Sequence, residues 1–407
     1  MSQKVEGYAR KLLVVDLTQG RLKDRVIDEP TLRMYLGGTG VGSKILYEEV
    51  PPAADWSDPV NRMTIASGPL GGTSVGGSGT VSIVTKGALT GGATSVQANG
   101  LFGAYMRFSG YDGVVVQGAA DDWKYLVLRS GSAELKGAKK LIGLDTYETC
   151  EALRKEFKVK GREASVLSIG PAGEHLVRWA GVFVDHGHSA SHNGPGAVLG
   201  SKRLKAMIAL RGQGRIAVAD PGRLKDVAQR MYEDVEYFRG TIGGVESSYK
   251  SGSGTLPIRN YTTNVWDVPK GKLDTFSERY IRDKYQIERE PCWGCRLLHC
   301  SMMKVAEGPY ACLVEEPEYE QMAAWGPVIG QDNVEAAMML SGLTDRLGLE
   351  NNEGGWLTAW LMECFDRGLI TAKDAGGLEV RWGDAEAAYK LIEMMAQIER
   401  DLLSLIH

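Results

Sequence analysis

Long apolar runs are missing from this sequence, since no stretch of its 407 residues approaches the roughly 18–20 residues that a membrane-spanning helix needs. Histidine, cysteine and phenylalanine are scarce, with 6, 6 and 7 copies. Basic residues are not in excess either, because 47 Lys and Arg stand against 51 Asp and Glu and leave a net charge of -4. We therefore expect no membrane span, and the charge gives no reason to expect nucleic acid as a partner.

An export signal is also missing from the N-terminal segment, which has neither an apolar core nor a small-residue cleavage site. We therefore expect a cytoplasmic protein. Three of the six cysteines fall within nine residues, 292–300. In a reducing compartment such a cluster indicates a metal site rather than a set of disulfides.

Glycine is abundant, with 52 copies concentrated before residue 200. This excess indicates many tight turns and places where the backbone approaches a ligand closely. Short segments rich in β-branched residues occupy the same region, and two of them flank a turn and predict a hairpin, Arg10–Leu17 with Arg21–Ile27. Further strands are predicted at Met63–Ser67, Thr80–Thr85, Gly113–Gly118, Tyr125–Arg129, Ala164–Gly170, Val177–Val184 and Lys205–Leu210. Helices do not alternate regularly with these strands, which favours an α+β fold over a doubly wound sheet.

After residue 212 the apolar spacing becomes helical. Helices are predicted at Pro221–Phe238, Asn333–Leu347, Gly354–Arg367 and Asp384–Leu405, with a long loop at Thr241–Lys272. The pattern predicts two domains, a β-rich one over 1–212 and a mainly helical one over 213–407.

The strongest local motif is the C-x2-C-x4-C run formed by Cys292, Cys295 and Cys300. Three thiolates on one tight loop suit three corners of a [4Fe-4S] cluster. Zinc is the main alternative, although it prefers two separated ligand pairs, and clustered free thiols are another. His299 is adjacent to Cys300 and could replace a cysteine, but we expect it to face away.

The spacing does not identify a fourth cluster ligand, for which Cys312 and Cys364 qualify by residue type alone. Cys150 lies on a predicted helix, where a core position is the simplest interpretation. Two glycine-rich stretches, 170–178 and 194–202, have the composition of phosphate-binding loops. The second lacks the spacing of a P-loop, so turn glycines explain it equally well.

Several motifs in order make the sequence resemble the aldehyde:ferredoxin oxidoreductase family. In chain order they are residues 37–42 (GGTGVG), 67–70 (SGPL), 85–91 (TKGALTG), 109–113 (SGYDG), 170–174 (GPAGE), 196–202 (GAVLGSK), the cysteine run, 318–320 (EYE) and 345–350 (DRLGLE). The last is similar to the family's D-x-x-G-L-D pterin motif. The resemblance extends to about residue 395.

The resemblance implies a first domain built as a two-sheet saddle that binds a tungsten or molybdenum bis-pterin cofactor. The cysteines would ligate a [4Fe-4S] cluster that passes electrons to ferredoxin. Backbone carbonyls of Asn99 and of Ser189 or Ala190 would bind a magnesium ion that bridges the pterin phosphates. Glu318 would be an acid–base group near the metal. The pterin motif would contribute Asp345, Gly348, Leu349 and Glu350, with the Asp345 carboxylate accepting N–H bonds from the pterin.

The sequence departs from the family pattern in several places. Thr80 stands where many members have arginine, and residues 190–194 (ASHNG) replace the family's A-A-G-R-G-G stretch. Two cationic phosphate contacts are therefore missing or replaced, with His192 as a weaker, pH-dependent substitute. Glu350 replaces the closing Asp of the pterin motif. No Glu-x-x-His pattern precedes Asp345, so we do not expect the iron that some members hold between subunits.

The resemblance implies an oxidoreductase that oxidises an aldehyde, or interconverts a related carbonyl-level substrate. The family's third, helical domain, with its fourth cluster cysteine and second pterin motif, is not found in this sequence. The alternative is therefore a catalytically incomplete fragment or paralogue that acts as a cofactor-binding or electron-transfer subunit, with a separate chain as a possible source of the missing domain. That reading predicts little aldehyde-oxidising activity for the chain alone. It also predicts an exposed apolar face on the last helix, at Ala388, Leu391, Ile392, Met395 and Ile398.

Overall fold

The computed structural model describes residues 6–236, 244–298 and 300–397. These residues form two compact units. The first draws on Met1–Glu236 and Pro291–Arg296, and the second on Tyr237–Glu290 and Leu297–His407.

The first unit contains two six-stranded mixed sheets. The strands of the first sheet are β1 (Lys11–Asp16), β2 (Arg21–Val26), β3 (Met63–Ala66), β4 (Val81–Lys86), β5 (Ala93–Ala98) and β6 (Gly113–Gln117), in the order β2-β1-β6-β3-β4-β5. The strands of the second are β7 (Lys124–Arg129), β8 (Ser132–Gly137), β9 (Ala164–Ser168), β10 (Val182–Val184), β11 (His188–Ala190) and β12 (Leu204–Leu210), in the order β11-β10-β9-β12-β7-β8.

The two sheets have the same topology. Each begins with an antiparallel hairpin, β1–β2 or β7–β8, at one edge. The first strand of each hairpin then pairs in parallel with the strand that comes last along the chain in the same sheet, β6 or β12. The remaining strands follow in antiparallel order and end at β5 in one sheet and β11 in the other. The first unit is therefore a structural repeat, and residues that follow β5 and β11 occupy related positions.

Apolar residues of both sheets form one large core in the first unit. It includes Ile65 and Val114 from the first sheet and Leu128 and Val182 from the second. The other face of each sheet is covered by helices, which bury two smaller clusters. The helices of this unit are α1 (Glu29–Tyr35), α2 (Gly38–Glu49), α3 (Phe102–Phe108), α4 (Thr146–Phe157), α5 (Pro171–Glu174), α6 (Pro195–Ser201) and α7 (Pro221–Glu236), with a 3₁₀ turn at Gly161–Glu163.

The second unit is mainly helical. Its helices are α8 (Val245–Lys250), α9 (Lys270–Thr275), α10 (Glu278–Tyr285), α11 (Tyr319–Trp325), α12 (Val334–Leu347), α13 (Asn351–Asp366) and α14 (Ala385–Gln397), with a 3₁₀ turn at Pro327–Ile329. A small antiparallel sheet joins β13 (Gln286–Arg289), β14 (Ser301–Val305) and β15 (Cys312–Glu315). Together the units confirm the predicted α+β class, with a two-sheet β-rich part followed by a helical part.

The apolar face predicted to be exposed on the last helix is buried. Ala388, Leu391 and Ile392 are fully buried and Met395 is 4% exposed, because α14 packs against α12 within the second unit. The prediction was therefore wrong for these four residues, and Ile398 lies outside the described residues. The region predicted as a long loop contains α8 within its described part. No helix in the described ranges is long and apolar enough to cross a membrane.

Candidate functional site

Two of the predicted cluster cysteines lie on a tight turn of the first unit. The Cys295 amide donates to the Cys292 carbonyl at 3.2 Å, which closes the turn. Gly294 adopts a φ of 70°, and a side chain there would lie 2.5 Å from the Val75 carbonyl oxygen. Cys292 is 7% exposed and Cys295 is half-buried, so the turn places one thiol inside and one near the surface.

Trp293 anchors this turn to the first unit. Its indole N–H donates to the Thr73 carbonyl at 2.9 Å, and its backbone N–H donates to the Gly100 carbonyl at 2.9 Å. Its ring packs edge-on against Phe108, with centroids 5.1 Å apart. The tryptophan therefore fixes the backbone between Cys292 and Cys295, which favours a rigid ligand loop.

His188 lies beside the cysteine turn, and the sequence analysis did not single it out. It begins β11, and its Nε2 is 3.6 Å from the sulfur of Cys292. Gly100 explains how the ring fits, because a side chain at that position would lie 2.8 Å from the His188 Cδ2 atom. The pairing comes from the fold of the second sheet, and 104 residues separate the partners in sequence. No local sequence pattern could have revealed it.

The residues predicted to offer carbonyls to magnesium lie at two sheet edges. Asn99 directly follows the edge strand β5, whereas Ser189 and Ala190 belong to the edge strand β11. These two edge strands contact each other within the first unit. Asn99 and Ser189 are exposed, and Ala190 is buried. The structure thus places the predicted carbonyls at related ends of the two repeats.

The first departure from the family pattern has a local structural role. The Thr80 hydroxyl donates to the side-chain oxygen of Asn99 at 2.8 Å, so Thr80 positions Asn99 rather than supplying a cation. His192, at the second departure, is exposed. The Asn193 side chain accepts from the Thr90 amide at 2.9 Å and joins two of the glycine-containing turns.

The glycines of the stretch that resembles a P-loop are packed against backbone. A side chain at Gly194 would lie 1.9 Å from the Arg178 carbonyl oxygen, and one at Gly196 would lie 2.2 Å from that of Gly181. The helix that follows, α6, has only seven residues. Close packing therefore explains these glycines without a phosphate.

The remaining cysteines of interest lie in the second unit. Cys300 is 7% exposed, and its carbonyl accepts from the Glu290 amide. Cys312 is half-buried on β15, where burial raises the pKa of its thiol to about 11. Cys364 is half-buried on α13. Burial thus disfavours the thiolate of Cys312 as a metal ligand. His299, the other residue considered as a cluster ligand, lies outside the described residues.

The pterin motif forms the turn between α12 and α13. Gly348 ends α12 with a φ of 79°, and the Leu349 amide donates to the Thr344 carbonyl at 3.0 Å. Leu349 is fully buried. The Glu350 carboxylate caps α13 and accepts from the Asn352 and Glu353 amides at 3.0 and 2.8 Å.

Asp345 is buried, being 1% exposed, and is held by two amide side chains. Its carboxylate oxygens accept from Gln321 at 3.1 Å and from Asn351 at 2.7 Å. The Asn351 oxygen in turn accepts from the Trp325 indole at 2.6 Å. These two hydrogen bonds fix the orientation of the buried carboxylate.

Glu318, the predicted acid–base group, is exposed and precedes α11. Its backbone N–H donates to the side-chain oxygen of Gln321 at 2.8 Å, and Gln321 also binds Asp345. One side chain thus connects Glu318 to the pterin motif. Two residues earlier, Glu316 has a side chain only 10% exposed, and one of its oxygens accepts from Arg282 at 2.5 Å.

Stability should depend on pH through Glu316. Burial raises the pKa of its carboxyl from 4.5 to about 7, although Arg282 opposes this shift. The folded chain then keeps a proton that the unfolded chain loses, so the free energy of unfolding should fall as pH rises from about 4.5 to about 7, by at most about 3 kcal/mol. Glu316→Gln should flatten this dependence in urea unfolding at pH 5 and pH 8. Glu320→Gln, at an exposed position, should retain it, and parallel slopes in all three proteins would contradict the assignment.

Sequence models of one family match both parts of the chain. The model described as aldehyde ferredoxin oxidoreductase, N-terminal domain, matches residues 12–212, and the one described as domains 2 and 3 matches residues 227–404. The chain belongs to the aldehyde ferredoxin oxidoreductase family. The resemblance inferred from the ordered motifs is thereby confirmed.

Curated members of the family are similar along nearly the whole chain. The tungsten-containing aldehyde ferredoxin oxidoreductase of Pyrococcus abyssi is 32% identical over 403 residues, a match that covers 97% of this chain and 65% of the relative. A Pyrococcus furiosus protein named aliphatic sulfonate oxidoreductase, WOR-like subunit, is 31% identical over 414 residues, with the same two coverages. The chain thus spans about 65% of the length of these relatives.

A solved structure shares the fold. The active site complex BamBC of benzoyl coenzyme A reductase, in complex with 1,5-dienoyl-CoA, matches with a TM-score of 0.86 at 22% identity. The match covers 98% of this chain and 62% of that one. At this identity the likeness concerns the architecture alone.

Proposed function

We propose that this chain is an oxidoreductase that binds a tungsten or molybdenum bis-pterin cofactor and a [4Fe-4S] cluster. It oxidises an aldehyde, or interconverts a related carbonyl-level substrate, and passes electrons to ferredoxin in the cytoplasm. The observation that most strongly supports this proposal is structural. Asn99 and the Ser189–Ala190 pair lie at related ends of two sheets that share one topology, and the edge strands of these sheets contact each other. A relative that is 32% identical is named tungsten-containing, which fits this arrangement to a metal cofactor.

This arrangement suits a cofactor with two similar halves. In the proposal, backbone carbonyls of Asn99 and of Ser189 or Ala190 bind magnesium, and hard oxygen donors are what that ion prefers. Thr80 orients the Asn99 side chain through its 2.8 Å hydrogen bond. Magnesium held there would supply positive charge for the pterin phosphates, which the family arginines absent from this chain do not provide here.

The cysteine turn fits an iron–sulfur cluster. Cys292, Cys295 and Cys300 supply thiolates, and the cluster, when bound, supplies one-electron transfer. Trp293 keeps the Cys292–Cys295 turn rigid, and His188 contacts the Cys292 sulfur at 3.6 Å. A nearby imidazole that interacts with a cluster sulfur is one of the groups that set a reduction potential.

In the second unit, Asp345 and the Gly348–Glu350 turn would hold one pterin. Glu318 would then accept or donate a proton at its carboxylate oxygen, as an exposed carboxylate can. The hydrogen bond from its backbone N–H to Gln321, which also binds Asp345, supports this role, because Glu318 then lies close to the pterin motif.

A second candidate is a cofactor-binding or electron-transfer subunit that works with a separate chain. One relative with 31% identity bears the name of a subunit, which favours this alternative. Purified chain that binds the metals and accepts electrons from reduced viologen, but does not oxidise aldehydes until a partner chain is added, would support it. Turnover of aldehydes by the chain alone would exclude it.

Elemental analysis tests the proposal directly. Anaerobically purified chain should be brown and contain iron together with tungsten or molybdenum. In the proposal, the cysteines hold an iron–sulfur cluster and the paired carbonyls help to hold the metal-containing pterin cofactor. Inductively coupled plasma measurement of W, Mo, Fe and Zn on the same sample gives the metal content per chain. Zinc at about one per chain, with neither iron nor tungsten nor molybdenum, would overturn the proposal.

A further inference from the structure

A cysteine, a glutamate and a histidine meet at the outer face of the second sheet. Cys150 and Glu151 are neighbours on α4, and His186 lies in the turn between β10 and β11. Their sulfur, oxygen and nitrogen ligand atoms all lie within 4.8 Å of one another. We propose that these three side chains form a zinc site, separate from the cysteines at 292, 295 and 300.

The residue types and the reach of their atoms fit zinc. Zinc binds thiolate sulfur at about 2.3 Å and imidazole nitrogen or carboxylate oxygen at about 2.0–2.2 Å. Ligand atoms around such an ion lie roughly 3.5 Å apart, so side-chain movements of about 1 Å would complete the site. The His186 Nε2 and Glu151 Oε1 atoms are already 3.0 Å apart.

The turn that contains His186 is held in place by its neighbour. The Asp185 carboxylate accepts from the Ser165 hydroxyl at 2.7 Å and from the Val166 amide at 3.0 Å. Arg154, one helical turn after Cys150, donates to Asp185 at 3.3 Å and to Glu151 at 3.0 Å. The hydrogen bonds of Asp185 and Arg154 therefore join the turn to both β9 and α4, and the histidine is placed before any metal binds.

The local charge also favours a divalent cation. Glu151, Asp185 and Arg154 together leave one excess negative charge, and a Cys150 thiolate would add a second. A bound dication neutralises both. It also offsets the burial that raises the pKa of the Cys150 thiol, since zinc binds the deprotonated form.

A nucleophilic thiol is the competing explanation for a cysteine hydrogen-bonded to a histidine that a carboxylate orients. Accessibility decides against it, because Cys150 is fully buried in the cluster under α4 and a substrate cannot reach the sulfur. Glu151, in contrast, has a side chain 61% exposed. The site is thus open to an ion on the carboxylate side, where water would fill the fourth position.

Zinc binding by variants of the full chain tests this site. After removal of loosely bound metal with a chelator, Zn²⁺ is titrated against a chromophoric competitor, and Co²⁺ spectra report thiolate ligation. The unmodified chain should bind one more Zn²⁺ than the His186→Ala variant. Glu151→Gln should lower the affinity for that additional ion by at least about tenfold. Glu151 is exposed and His186 lies in a turn between two short strands, so circular dichroism should show intact folds.

Matched variants separate this site from the other cysteines. His175→Ala, at an exposed histidine, and Cys364→Ser should keep the full zinc stoichiometry. His186→Ala should leave the iron, tungsten and molybdenum contents unchanged, so failure here is distinguishable from failure of the proposed function. Equal zinc stoichiometry and affinity in the unmodified chain, His186→Ala and Glu151→Gln would overturn the proposal and leave the triad as a structural hydrogen-bond network.

Discussion

Replacing Cys292 by serine should remove most of the iron from anaerobically purified protein and abolish its brown colour. Serine keeps the size of the side chain, but it is a poor ligand for iron in a thiolate-bound cluster. Cys292 is the buried member of a turn that Trp293 anchors, so another cysteine cannot easily take its place. Iron content and the visible absorption spectrum, measured on the same preparation, give the result.

Two further variants test whether the loss of iron is specific to the cysteine run. His175→Ala changes an exposed histidine outside the proposed cluster ligands and should retain iron at the level of the unmodified chain. His188→Gln should retain the iron but shift the reduction potential of the cluster, because it alters the contact at 3.6 Å with the Cys292 sulfur. Unchanged iron in Cys292→Ser would show that the cysteine run does not hold the cluster.

The sequence predicted the central strands and the long helices well. The hairpin predicted at Arg10–Leu17 and Arg21–Ile27 is β1–β2, and the helix predicted at Asn333–Leu347 is α12 within one residue. The buried central strand β6 has three consecutive valines among its five residues, so its composition identifies it. Apolar residues at helical spacing and the Asn333 cap identified α12, which packs against several neighbours.

Three of the four edge strands of the two large sheets were missed for a physical reason, whereas the fourth, β2, was predicted through the turn of its hairpin. β5, β8 and β11 were not predicted, and all three lie at a sheet edge. An edge strand buries little, and β8 accordingly has no fully buried residue and only two apolar side chains, Ala133 and Leu135. Without β5 and β11 the repeat of the two sheets could not be recognised, nor the approach of Asn99 to β11.

The candidate site was predicted from local motifs, and its long-range contacts were not. Cys292, Cys295 and the turn that ends at Glu350 are each visible within ten residues of sequence. The contact of His188 with Cys292 depends on the fold, as does the group formed by Cys150 and His186. The prediction that Cys150 is a core residue is confirmed, yet its neighbours give that buried thiol a chemistry that its helix position did not suggest.

Replacing Gly200 by alanine should destabilise the chain by about 3 kcal/mol or more. A Cβ atom at Gly200 would lie 1.9 Å from the carbonyl oxygen of Gly173, which is backbone and cannot move aside as a side chain would. The helices α5 and α6 would have to separate, and α6 packs on the large core of the first unit. Overpacking of this kind costs 1–3 kcal/mol in ordinary cores, and we expect a larger effect against rigid backbone.

Gly68→Ala is the matched control for this change. Gly68 belongs to another motif shared with the family, but a side chain there meets nothing within 4 Å and the backbone does not require glycine. Its free energy of unfolding should stay the same or rise by up to about 1 kcal/mol, because alanine restricts the unfolded chain. Chemical denaturation of both variants gives the comparison. If Gly200→Ala is as stable as Gly68→Ala and instead loses only cofactor, then the glycines of α6 serve a ligand rather than close packing.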